Sequence, residues 1–185
     1  MLGATRNFTG PVLLGAIGEL WIVFALSPLP VTVRHVVLAL SLLIVCLLLV
    51  GAKRIGKIRD MAAGPWKKYR WPLFSANLLL ELALIVAAVS ITQYDPYRYC
   101  RVPAISIAVG LHFFPLVRIF GEPEYSGCGA ALISAAILYL FLTRGGQIQV
   151  GVGRALECAG NGIILWGTAF FQVQRERVKV RTPLT

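Results

Sequence analysis

Four ionisable side chains interrupt long apolar stretches of this sequence, and they are its clearest indication of chemistry. Burying such a group in hydrocarbon costs at least about 2.5 kcal/mol, so an ionisable residue inside a membrane helix usually has a function. Two asparagines lie in the same stretches and extend the polar set. The candidate binding or proton-relay residues are Glu19, Asn77, Glu81, His112, Glu157 and Asn161.

The spacing of these residues predicts that they share helix faces. Asn77 and Glu81 are four positions apart, and so are Glu157 and Asn161. Residues four positions apart lie on the same side of an α-helix. Each pair is therefore expected to point in one direction, into a helix bundle.

The predicted depths of these groups favour the movement of protons or cations. With about 1.5 Å of rise per residue, Glu19, Glu81 and His112 are expected near the middle of a membrane. Glu157 is expected close to the outer end of its helix, with Asn161 one turn deeper. Because a histidine beside a glutamate can exchange a proton near neutral pH, we expect a small proton-coupled or cation-linked transporter or channel-like protein.

Two other classes of function fit the same residues. An intramembrane enzyme for a lipid or isoprenoid substrate would use His112 and a glutamate as acid and base. A structural or regulatory membrane subunit would use the buried polar groups only to fix helix packing. No serine or cysteine lies in a recognisable nucleophile motif, so the sequence leaves enzymatic activity open and assigns no catalytic residue.

Metal binding has weaker support in the sequence. If a metal binds, the ligands would be His112, Glu81 and Glu19, since one histidine with carboxylates suits several divalent ions. The chain has no HExxH motif, and its four cysteines include no CxxC pair. The sequence therefore identifies neither a metal nor a cofactor.

The segment 110–118, GLHFFPLVR, is the most distinctive stretch of the chain. Pro115 has no backbone N–H, so a carbonyl one turn earlier, close to His112, loses its helical partner. We therefore predict a kinked helix with a histidine just before the kink.

The composition indicates an integral membrane protein. Of the 185 residues, 57% are hydrophobic and 14% are charged, whereas soluble domains have about 25% charged residues. A spanning helix needs roughly 20 mostly apolar residues. We predict an all-α, polytopic membrane bundle of about six transmembrane helices, forming a single domain over residues 1–185. The predicted helices are 11–29, 33–52, 72–93, 103–120, 127–143 and 154–173.

The positive charges predict how the chain is oriented. The net charge is +10, but the basic residues lie between apolar runs, so nucleic acid is not an expected partner. With six helices, thirteen of the 18 Lys and Arg residues fall on one side and five on the other. Because basic residues concentrate in cytoplasmic loops, we predict a multi-pass protein of the cell (inner) membrane with both termini in the cytoplasm.

Several partners are expected from the remaining features. The connection from Lys53 to Trp71 is rich in basic and aromatic residues. It would attract anionic lipid at about 1 kcal/mol per basic residue, although an ordinary cytoplasmic loop has the same composition. Other expected partners are membrane lipids in general and a small-molecule or ion ligand. A homo-oligomer is compatible with the sequence.

The two halves of the chain carry polar groups in corresponding helices. The first and fourth helices carry Glu19 and His112, the third and sixth carry a glutamate with an asparagine, and the second and fifth are predicted to serve packing. Two units of three helices must have opposite orientations in a membrane. The pattern therefore predicts two inverted three-helix repeats, as in many secondary transporters.

Overall fold

The structure is a computed structural model, and the residues that it describes confirm an all-helical fold. A short 3₁₀-helix at Tyr97–Cys100 precedes the fourth of six α-helices. The α-helices are α1 (Thr9–Ala25), α2 (Val31–Gly56), α3 (Lys67–Ile91), α4 (Arg101–Phe120), α5 (Glu124–Arg144) and α6 (Val150–Arg181). The backbone is described for residues 9–26, 30–56, 67–94 and 97–181, and side chains for residues 13–26, 30–47, 50, 72–94, 97 and 99–175.

Most of the observed helices are longer than their apolar parts. α2 continues to Gly56 and α6 continues to Arg181, through much of the basic tail. Hydropathy shows only where the apolar part of a helix ends. The helical backbone hydrogen bonds continue past that residue into the polar sequence. α1 is shorter than predicted and ends at Ala25, ahead of Pro28, which disfavours a helical conformation in the residue before it.

Three helices in the described part of the chain are long and apolar enough to cross a membrane. These spans are Pro72–Ile91 of α3, Arg101–Phe120 of α4 and Glu124–Arg144 of α5. Shorter apolar helical stretches cover Leu13–Ala25 and Val31–Leu47. The large apolar side chains of α2 and α3 are mostly exposed, as with Leu79 at 66%. Continuous apolar surface of this extent suits lipid rather than water, so the chain is a helical membrane protein.

The helices pack in the spatial order α2, α1, α6, α5, α4, α3. α6 also touches α2 and α4 and is therefore the central helix. α1 and α6 are antiparallel, because Trp166 Nε1 donates to the Gly15 carbonyl at 3.3 Å, while Ile22, further along α1, packs on the earlier Gly162. The beginning of α1 and the end of α6 therefore lie at the same end of the bundle.

The core lies between the inner helices of this row. Leu132 and Ala136 of α5 and Leu165 and Ala169 of α6 are completely buried. Leu14 and Trp21 of α1 belong to the same cluster. α2 and α3, at the two ends of the row, add little to it, so they form the periphery of the described bundle.

Glycine pairs allow two close helix crossings. A Cβ on Gly162 of α6 would lie 3.0 Å from the Gly18 carbonyl of α1, and a Cβ on Gly129 of α5 would lie 2.5 Å from the Gly110 carbonyl of α4. Gly18 of the first half thus meets α6, whereas Gly110 of the second half meets α5. In an exact repeat, the contact of α1 with α6 would correspond to a contact of Gly110 with α3, not with α5. The inverted repeat therefore remains a prediction.

Replacing Gly129 by alanine should destabilise the protein by about 1–3 kcal/mol, the usual effect of overpacking. The new Cβ would collide with the backbone oxygen of Gly110, which cannot move without displacing α4. Gly127 of the same helix faces open space, so Gly127→Ala should instead stabilise the helix by about 0.5–1 kcal/mol. Thermal unfolding in detergent micelles measures both variants, and shifts of the same sign would contradict the assigned α4–α5 contact.

An ion-pair cluster joins α6 to the connection between α4 and α5. Arg175 Nη1 contacts Glu124 Oε1 and lies 3.3 Å from Glu122 Oε2. The end of α4, the start of α5 and the late part of α6 therefore lie together at one end of the bundle. In the predicted topology this is the cytoplasmic end.

Candidate functional site

The six candidate residues are distributed over three separate helix contacts. Three of them lie at the α3–α4 contact, two at the α4–α6 contact and one at the α1–α2 contact. Each makes at least one polar contact with a neighbouring helix. The polar groups therefore lie between helices, but they do not form one continuous cluster.

Glu81 and His112 form a pair at the α3–α4 contact, in which His112 is buried and Glu81 is half-buried. His112 Nδ1 lies 3.4 Å from Glu81 Oε2, and the two side chains are 8% and 14% exposed, respectively. Asn77, one turn before Glu81, donates from Nδ2 to the backbone oxygen of His112 at 3.2 Å. The four-residue spacing thus places both α3 residues on the face that meets α4.

The surroundings of His112 determine which ring nitrogen carries its fixed proton. Nδ1 faces two acceptors, Glu81 Oε2 and the backbone oxygen of Asn77, each at 3.4 Å. When Glu81 is ionised, its oxygen and the carbonyl of Asn77 only accept, so Nδ1 donates and Nε2 is the nitrogen that gains or loses a proton. Both distances exceed the roughly 3.2 Å of a well-formed N–H···O bond, so the imidazole is shared by two acceptors.

Burial restricts the Glu81–His112 pair to one exchangeable proton. An imidazolium beside a carboxylate and a neutral imidazole beside a carboxylic acid both have zero net charge. Adding or removing a proton leaves an uncompensated charge, which is costly in a medium of low dielectric constant. The pair therefore holds one exchangeable proton at a time, and the uptake of a proton must be accompanied by the release of another.

Pro115 gives this contact a second role, in supporting α4. It lies inside the helix and removes the donor that the carbonyl of Leu111 would otherwise receive. Asn77 binds the next carbonyl, that of His112. A side chain of α3 therefore supports α4 where its own hydrogen bonding is interrupted.

Ser106 joins Glu157 and Asn161 at the α4–α6 contact. Its hydroxyl lies 3.0 Å from Glu157 Oε1, and Asn161 Nδ2 donates to Ser106 Oγ at 2.7 Å. Glu157 is 5% exposed, and Ser106 and Asn161 are completely buried. We call these three residues the Ser106 cluster.

The Ser106 cluster has more acceptors than donors. Ser106 has one hydroxyl proton but faces two acceptors, Glu157 Oε1 and the Val102 carbonyl, each at 3.0 Å. Glu157 Oε2 and Asn161 Oδ1 are buried and have no hydrogen-bond partner. Because buried oxygens normally accept at least one bond, the cluster is suited to a proton or a cation.

Glu19 lies apart from the other candidates, at the α1–α2 contact. Ser41 of α2 donates to Glu19 Oε1 at 2.6 Å. The suggested metal ligands His112, Glu81 and Glu19 are thus not brought together. Within the residues that the structure describes, no three His, Cys, Asp or Glu side chains could jointly hold a metal ion.

The two sites on α4 occupy different faces of that helix. Ser106 and His112 are six residues apart, which corresponds to about 9 Å along the axis and about 120° around it. Ser106 faces α6 and His112 faces α3. A single relay from Glu157 through His112 and Glu81 to Glu19 is therefore not formed by the described side chains.

Sequence reasoning missed the two serines. Ser106 is not among the candidate residues from the sequence; it bonds to Val102 within its own helix, but it also contacts the carboxylate and the amide of α6. α2, predicted to serve packing, supplies Ser41. The positions of Ser106 and Glu157 could have indicated this contact. Both residues lie within the first two turns of helices that begin at the same end of the bundle.

Comparison of the chain with protein-family models, curated protein sequences and solved structures finds no match.

Proposed function

We propose that this chain is a small six-span membrane protein that moves protons, or couples proton or cation movement to a second solute, as a transporter or channel-like protein. The Glu81–His112 pair is its intramembrane proton site. One observation carries this proposal: the two residues lie at the centres of the spans Pro72–Ile91 and Arg101–Phe120 and are 3.4 Å apart. A protonatable pair at that depth can exchange a proton that hydrocarbon would otherwise exclude.

The packing supports the topology that this function requires. Antiparallel α1 and α6 are consistent with an even number of spans and with both termini on the cytoplasmic side, where thirteen of the 18 basic residues fall. The anionic-lipid contact at 53–71 involves side chains outside the described residues and rests on the sequence. The exposed apolar faces of α2 and α3 fit lipid or a second copy of the chain.

Proton flux into proteoliposomes tests the proposal. Under an imposed pH gradient, the wild type should dissipate the gradient faster than protein-free liposomes. Glu81→Gln keeps the size and hydrogen-bonding capacity of the side chain but cannot ionise. It should reduce the flux at least about tenfold, because a positioned proton-transfer group typically contributes 10²-fold or more.

Glu19→Gln is the matched control for that experiment. It makes the same carboxylate-to-amide change at a half-buried position, but at the α1–α2 contact, away from the Glu81–His112 pair. It should therefore retain most of the flux. Wild-type flux in Glu81→Gln would exclude the pair as the proton site.

An intramembrane enzyme is the second candidate function. His112 converges with a carboxylate, as acid–base catalysis requires, and Glu81 lies on α3 beside Leu80 and Leu82, which are 54% and 57% exposed. A lipid or isoprenoid substrate would approach along that surface. Absence of flux together with turnover of added lipid, lost in Glu81→Gln, would favour this function over transport.

A further inference from the structure

The Ser106 cluster contains two buried oxygens that accept no hydrogen bond, and both belong to side chains aimed at α4. Glu157 Oε2 and Asn161 Oδ1 have no partner, while Oε1 and Nδ2 of the same side chains contact Ser106. The Ser106 hydroxyl cannot satisfy them, because its single proton is already shared by two acceptors. A small cation with oxygen ligands would satisfy both oxygens and would also neutralise the carboxylate of Glu157.

We infer that Ser106, Glu157 and Asn161 form a binding site for a small monovalent cation, with Na⁺ as the ion to test. Hard cations prefer carboxylate, amide and hydroxyl oxygens, and the cluster offers one of each. One carboxylate neutralises one monovalent charge, whereas a divalent ion would leave a net charge buried in a medium of low dielectric constant. The site therefore favours a monovalent over a divalent ion.

The charges around Glu157 leave its carboxylate available to such an ion. Among the described residues, the titratable or charged groups that influence this region include Tyr139 of α5, Cys100 of the 3₁₀-helix, and Cys158 and Arg154 of α6. Arg154 is exposed, and no described Lys, Arg or His side chain lies within ion-pair distance of Glu157. The cation would thus not have to displace an internal salt bridge.

The position of the cluster connects this site with the proposed transport. It shares α4 with the Glu81–His112 pair and lies closer to the end where α4 and α6 begin. An ion held between α4 and α6 would fix the helix that carries His112, which would couple cation binding to proton exchange. The inference rests on the proposed function only for this role, because binding itself is measurable without flux.

Thermal unfolding of the purified protein in detergent tests the site, with NaCl compared with choline chloride at equal ionic strength and alkaline pH. A ligand that binds only the folded state raises the unfolding temperature progressively with its concentration. The wild type should show this rise with Na⁺. Glu157→Gln should lower the Na⁺ affinity at least about tenfold, because the charged ligand is lost.

Two further variants keep the test decisive. Glu19→Gln carries the same change at the α1–α2 contact and should retain the full Na⁺ response. If Glu157→Gln fails to fold, Asn161→Ala, which keeps the carboxylate but removes the amide oxygen, should weaken the response instead. The inference is overturned if the wild type unfolds at the same temperature in Na⁺ and choline, or if the response survives in the Glu157 and Asn161 variants.

The result is independent of the transport assay. Na⁺ binding without proton flux would refute uncoupled proton movement through the Glu81–His112 pair and leave the cation site standing. Proton flux without Na⁺ stabilisation would refute the cation site and leave the Glu81–His112 pathway standing.

Discussion

Replacing Ser106 by alanine should lower the free energy of unfolding by about 2–3 kcal/mol. An interhelical hydrogen bond in a membrane contributes about 0.6 kcal/mol on average, so one lost bond would have a small effect. Ser106 contacts two buried groups, Glu157 and Asn161, and its removal leaves both unpaired. Each buried polar group left without a partner costs about 1–3 kcal/mol, and this cost sets the expected loss in the free energy of unfolding.

Ser134→Ala is the control for this prediction. Ser134 lies in α5, is exposed, and makes no hydrogen bond among the described side chains. Its replacement should change stability by no more than about 0.5 kcal/mol. Equilibrium unfolding in mixed micelles, followed by circular dichroism, measures both variants. Equal effects would show that Ser106 does not organise the α4–α6 contact.

Replacing His112 by leucine should destabilise the protein by about 3 kcal/mol. Removing one member of a buried pair leaves the other without a counter-charge, which typically costs about 3–5 kcal/mol. Glu81 is 14% exposed, so its charge is not completely buried. The expected loss of stability therefore lies at the lower end of that range. The same unfolding experiment measures it.

The double variant shows whether Glu81 and His112 interact. In His112→Leu/Glu81→Leu neither charge remains buried, so part of the stability lost in His112→Leu should return. Coupled residues in contact typically deviate from additivity by about 0.5–3 kcal/mol. If the effects of the two single substitutions simply add, Glu81 and His112 do not form an interacting pair in the folded protein.

The sequence predicts the helices of this protein better than their contacts. All six predicted segments are helical in the part of the chain that the structure describes, because each helix satisfies its own backbone. Three of these helices are long and apolar enough to cross a membrane. The helix ends were less accurate: α6 runs on to Arg181 because charged residues do not interrupt helical hydrogen bonding outside the apolar region. Pairing between distant helices depends on shape, as at Gly110 and Gly129, and shape is not visible in hydropathy.

The candidate site was predicted in the same partial way. The four-residue spacing correctly predicted that Asn77 and Glu81 share one helix face, because this relation depends on a single helix. It could not show that Glu19 would meet Ser41 rather than His112, since this depends on the order in which the helices pack. Ser106 was missed because serines inside helices commonly bond to their own backbone, and Ser106 does this as well.

The most direct measurement of the central claim is the proton flux of Glu81→Gln relative to Glu19→Gln, in proteoliposomes of equal protein content. Both variants lose one half-buried carboxylate, but only Glu81 lies beside His112 at the α3–α4 contact. If this pair carries the proton, Glu81→Gln should be at least about tenfold slower than Glu19→Gln. Equal rates in the two variants would contradict a proton site at Glu81 and His112.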